Sequence, residues 1–145
     1  MSYEISYKQA EWLLYNYKKL KAEIKNIELE IENIKNTYVG ASAIDPEQIP
    51  SNTNKITSLV ENEVLEKERK IERLELIKSK KENQVKKVDN ALEILTEDDR
   101  KLIELRYFER VPNYKVAMMF NMTEEGCSAR KRRIIKSIKD ILILD

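Results

Sequence analysis

There is no histidine in this chain. That absence removes the commonest general base and the commonest metal ligand. A single cysteine, Cys127, excludes an intrachain disulfide and suits a reducing compartment. Cys127 has no candidate base or metal partner near it in sequence and is expected to be a small buried hydrophobe. No glycine-rich phosphate loop is present. No stretch approaches the roughly 20 apolar residues of a membrane span. The start, Met1-Ser2-Tyr3-Glu4, lacks the basic patch and apolar run of a secretory signal. These absences point away from an enzyme, a cofactor, a metal and a membrane partner, and toward a cytoplasmic protein. With 2 glycines and 3 prolines in 145 residues, there are few places where a helix is forced to stop.

Charge is abundant, at 37% of residues, and the apolar fraction of 41% is too high for a disordered chain. The formal net charge of +1 conceals a strong asymmetry. Between Arg110 and Lys139 lie eight basic residues (Arg110, Lys115, Arg130, Lys131, Arg132, Arg133, Lys136 and Lys139) and two acids, Glu124 and Glu125. That segment carries +6, so the remainder carries −5. A basic end on an otherwise acidic chain implies a polyanion partner for that end.

The pattern of apolar residues predicts an all-α protein: a long antiparallel helical hairpin or coiled coil over residues 1–95, followed by a helix-turn-helix module over 96–145. In the first part Ala10, Leu13, Tyr17, Leu20, Ile24, Ile27, Ile31, Ile34 and Tyr38 recur with alternating gaps of three and four. This is a heptad seam that keeps one stripe on a partner helix. Tyr7, Tyr15 and Tyr17 read as packing residues. Residues 39–54 contain Gly40, Pro46, Pro50, Ser51 and Asn52 and read as a loop. Helix resumes near Lys55, with a seam through Val60, Val64, Ile71, Leu74, Val85, Val88, Leu92 and Leu95, interrupted at Lys67, Lys78 and Lys81. The two helices would be roughly 50 and 60 Å long. A seam does not say whose helix it faces. Pairing within the chain and a homodimer through the helical arm both satisfy it.

The C-terminal part is more specific. Thr96 precedes Glu97, Asp98 and Asp99, a cap followed by acids at a helix start. Capping thus accounts for this carboxylate cluster without catalysis. After an apolar face that includes Leu102, Ile103, Leu105, Tyr107 and Phe108, Val111-Pro112-Asn113 interrupts. A short helix follows over 113–120, expected to bury Val116, Ala117 and Phe120, with Met118 and Met119 as core filler. Asn121 tolerates a left-handed turn. Thr123 caps a last helix with Glu124 and Glu125 in its first turn, where they read as caps rather than base readers. Its inner side is expected to carry Cys127, Ile134, Ile135 and Ile138. Its outer side carries Glu125, Ser128, Ala129, Arg132, Arg133 and Lys136. Short helix, tight turn and basic helix form the arrangement that places the second helix in the major groove of double-stranded DNA. Gly126, Ser128 and Ala129 are small enough for close backbone approach. Ser128, Lys131 and Arg132 are expected nearer the bases, and Lys115, Arg130, Arg133, Lys136 and Lys139 nearer the phosphates.

Leu102-Ile103-Glu104-Leu105-Arg106-Tyr107-Phe108, Tyr114-Lys115-Val116-Ala117 and Asn121-Met122-Thr123-Glu124 resemble region 4 of bacterial sigma factors. The layout, with Asp45-Pro46 in the loop and Arg130-Lys131-Arg132-Arg133-Ile134 in the last helix, is similar to phage transcriptional regulators of the ArpU/RinA type. The resemblance is specific over about 50 residues and architectural elsewhere. It implies activation or control of late phage genes, and extends to contact with RNA polymerase. Lys115 stands where sigma-like modules often carry Glu, and Cys127 where they carry a larger apolar residue. Two other readings use the same features: the small terminase subunit of a phage packaging machine, and a coiled-coil scaffold whose C-terminal module only packs.

Overall fold

The computed structural model describes residues 3–37 and 53–144. All regular structure among them is helical. In chain order the helices are α1 (Tyr3–Tyr15), α2 (Tyr17–Asn36), α3 (Thr53–Glu93), α4 (Glu97–Ile103), a π-helical turn (Glu104–Phe108), α5 (Asn113–Met119) and α6 (Glu124–Leu142). No helix among the described residues is long and apolar enough to cross a membrane. The expected loop at 39–54 falls almost wholly outside the described residues.

The first helix is interrupted at Asn16, which the periodicity does not predict. The Asn16 side-chain amide donates to the Trp12 carbonyl (2.8 Å), the same oxygen that accepts the Asn16 backbone N–H (3.0 Å). Such local side-chain bonds compete with the helical ladder.

The chain forms two compact units, Met1–Ala22 with Lys81–Asp145, and Glu23–Lys80. The units do not divide at residue 95, where the sequence pattern separates arm from module. The reason is α1. Ala10, Leu13 and Leu14 are buried, and α1 packs chiefly on α6 and the π-helical turn. Tyr107, with no exposed surface, donates its phenolic proton to Glu11 (2.6 Å) and meets the Tyr15 ring edge-on at 4.6 Å. Tyr17 stacks on Phe108 at 4.5 Å and donates to Asp89. The core of this unit is completed by Val85, Val88, Ala91, Leu92, Leu102, Ile103, Val116, Ala117, Cys127, Ile134, Ile135, Ile138 and Leu142.

In the second unit Ile31 and Ile34 are buried. Lys78 lies 3.3 Å from Glu28, and Lys67 donates to the Thr37 carbonyl. Position falls along α3 as it rises along α2, so these segments run antiparallel. Leu59, Val64, Leu65, Leu76 and Ile77 are exposed.

Candidate nucleic-acid interface

The site is built on α5, the turn after it, and α6. Thr123 Oγ1 accepts from the Gly126 N–H (3.0 Å), and Thr96 Oγ1 accepts from the Asp99 N–H (3.2 Å), so both expected caps are formed. Asn121 has φ of 52°, in the left-handed region. Met122 N–H reaches the Ala117 carbonyl and Asn121 N–H the Met118 carbonyl, which closes α5 with a Schellman motif. A Cβ on Gly126 would stand 3.0 Å from Thr123 Oγ1. The small residue there leaves room for the cap hydroxyl, a role distinct from close approach to a ligand.

Upstream, Arg110 is a second left-handed residue, with φ of 55°. It ends the π-helical turn, and its guanidinium donates to the Tyr15 carbonyl (3.2 Å) and lies 5.4 Å from the Tyr15 ring centre. A π-helical turn widens the ladder by one residue. Here the Arg106 guanidinium lies beside the Tyr15–Tyr107 ring pair, 5.7 and 5.8 Å from the two ring centres. From there Arg106 Nε donates to Asn113 Oδ1 (2.9 Å), and Asn113 Nδ2 donates to Ser128 Oγ (3.1 Å).

Helix α6 buries Cys127, Ile134, Ile135, Ile138 and Leu142. Burial pushes the Cys127 thiol up, away from the reactive thiolate. The opposite face exposes Glu125, Ala129, Arg132, Arg133 and Lys136. Lys115 is exposed on α5. Ser128 is half-buried at the edge of the exposed face.

Three expected contact residues are placed differently. Arg130 is drawn back to α4, where its guanidinium meets Asp99 at 2.8 Å and lies 5.7 Å from the Phe120 ring centre. Lys131 is partly buried with its ammonium 6.0 Å from the Tyr107 ring centre, and burial lowers its pKa, partly countered by Glu11. Lys139 is largely covered and 3.8 Å from Asp140. The spacing of Lys131 carried this signal. It stands four residues after Cys127 and three before Ile134, on the apolar stripe itself. Met118 and Met119, expected in the core, are 73% and 59% exposed, and Tyr114 is exposed beside them. The short α5 has only one apolar stripe, and Val116 and Ala117 occupy it.

Along residues 7–140 the chain matches the family model described as "Protein of unknown function (DUF722)". The chain belongs to the DUF722 family. No curated protein matches it, and no solved structure does. The DUF722 match takes in all of the second unit, most of the first and the whole exposed face of α6, Glu125 to Lys136.

Proposed function

We propose that this DUF722 protein binds double-stranded DNA as a transcriptional regulator, with α5 and α6 as a helix-turn-helix and α6 in the major groove. The single observation that supports it most is the exposed face of α6. Arg132 and Arg133 stand there in water beside Ala129, and no acid among the described residues pairs with them. Exposed arginines on a stable helix with no acidic partner are suited to guanine edges and phosphates. On this reading Ala129 lets the helix approach, Arg132 and Ser128 face base edges, and Lys115, Arg133 and Lys136 meet phosphates. Arg130, Lys131 and Lys139 support the fold instead. The protein acts by binding, without catalysis or cofactor, in the cytoplasm of a host cell as a late-gene activator of phage type. On this reading the antiparallel segments of α2 and α3 form a hairpin arm suited to a second copy of the chain, and RNA polymerase is the further partner.

Replacement of both Arg132 and Arg133 by Gln tests the assignment. Duplex affinity at low salt should fall at least roughly tenfold with helix content unchanged, because each phosphate or base contact contributes about 1 kcal/mol or more. Unchanged affinity would remove α6 from the interface. Mass in solution separates regulation from packaging: a monomer or dimer accords with the regulator, a ring of eight or more subunits with a terminase.

A further inference from the structure

The hydrogen-bond chain from Arg106 through Asn113 to Ser128 has a fixed direction. A guanidinium can only donate, so the Asn113 oxygen must face Arg106. The Asn113 amino group then faces Ser128, and Ser128 Oγ must accept from it. The Ser128 hydroxyl proton is left over. It has no acceptor among the described residues. Four residues on, Arg132 Nε donates to the Ser128 backbone carbonyl (3.4 Å), which holds the guanidinium alongside and leaves its terminal N–H groups free. Both donors line one open, shallow surface of α6 together with Glu124 and Glu125.

Two donors beside two carboxylates favour an occupant with at least two acceptors and no charge of its own. A phosphate meets the first demand and fails the second. At about 4 Å in water each carboxylate would weaken it roughly fivefold. Among base edges in the major groove, guanine presents two acceptors, O6 and N7. Adenine pairs its N7 with a donor, which would oppose one of the protein's donors.

We propose that Ser128 Oγ–H and the Arg132 guanidinium form a preset pair of donors for one guanine, Ser128 for N7 and Arg132 for O6, with Asn113 as the residue that sets the direction of the Ser128 hydroxyl. This rests on the duplex-binding reading above and adds a base identity to it.

The test is selection of bound duplexes from a random pool by the full chain, by Ser128→Ala and by Asn113→Asp. The aspartate keeps Arg106 with one oxygen and takes the Ser128 proton with the other, so the hydroxyl presents lone pairs outward. The intact chain should enrich guanine at one position. Both variants should lose that preference roughly tenfold, with other positions and salt dependence unchanged. In the selected duplex, 7-deazaguanine at that position should weaken the intact chain to the same degree and leave Ser128→Ala unaffected. If Asn113→Asp loses helix content, the Ser128→Ala and 7-deazaguanine arms decide alone. Identical base preferences for the intact chain and Ser128→Ala would overturn the proposal. So would a methylphosphonate that weakens the intact chain but not Ser128→Ala, since Ser128 would then sit on a phosphate. In both cases duplex binding itself stands. No duplex retained by the intact chain at low salt would reject the guanine contact and the DNA-binding function together.

Discussion

The hydroxyls of Tyr17 and Tyr107 donate to carboxylates, Asp89 and Glu11. Burial and the bond to Asp89 push Tyr17 up to about 12. Burial and the bond to Glu11 push Tyr107 up further. A raised folded pKa means that the folded state holds the proton more tightly than the unfolded chain does. The resulting stability is complete below about pH 10 and is lost as pH climbs through the folded value. Stability should therefore decline between pH 10 and 12, and Tyr17→Phe should flatten the first part of that decline. Absorbance titration of the phenolate checks this: Tyr17 and Tyr107 should ionise late, and Tyr17→Phe should remove the Tyr17 part of that late signal. The turn residue Asn121 makes a second prediction. Glycine there should change stability by no more than a few tenths of a kcal/mol, whereas alanine should cost about 1 kcal/mol because φ is 52°. Denaturant midpoints of the two variants decide it. The caps at Thr96 and Thr123 and the turn at Asn121 were legible in the sequence because each depends on neighbours within five residues. The placements of Arg130 and Lys131 were not, since a run of four basic residues looks alike from every side until a tertiary partner such as Asp99 or Tyr107 is known.

At the level of elements, α6 does two jobs on two faces. Its inner face carries the unit's core, and its outer face exposes Ala129, Arg132 and Arg133. The Arg130–Asp99 pair fastens α6 to α4 from a partly covered position. Asp99→Ala should lower stability by about 1–2 kcal/mol, through loss of a charge-assisted bond and the stranding of Arg130. It should leave the salt dependence of duplex binding unchanged, because Arg130 is not counted among the phosphate contacts. Arg133→Gln should do the reverse: stability within about 0.5 kcal/mol and a salt slope smaller by about one. Thermal unfolding together with salt titration of both variants separates the two roles. The π-helical turn had no visible signature in the sequence. Its extra residue is accompanied by tertiary contacts, Arg106 beside the Tyr15 and Tyr107 rings and Arg110 on the Tyr15 carbonyl, and local propensity does not encode those.

For the whole molecule, helix α1 is the main departure from the sequence pattern. The heptad gaps read it as one end of an arm, yet Ala10, Leu13 and Leu14 lie in the same core as α6. Leu14 lies off the seam, and its burial is the trace of that second packing face. A fragment of residues 96–145 alone should fail to fold, since it would expose Tyr107 and Ile135, which have no surface in the intact chain. Circular dichroism of the fragment, with and without added residues 1–22 and 81–95, checks this. The charge asymmetry also belongs to this scale: +6 at the basic end against −5 elsewhere should orient the chain toward a polyanion with that end leading.

The most direct test of DNA binding is the salt dependence of duplex affinity for the intact chain. With Lys115, Arg132, Arg133 and Lys136 as the exposed cations of the interface, log affinity should fall linearly with log salt, at a slope of about −2 to −4. A slope near zero, or no duplex held at low salt, would contradict the assignment of α6 to the major groove.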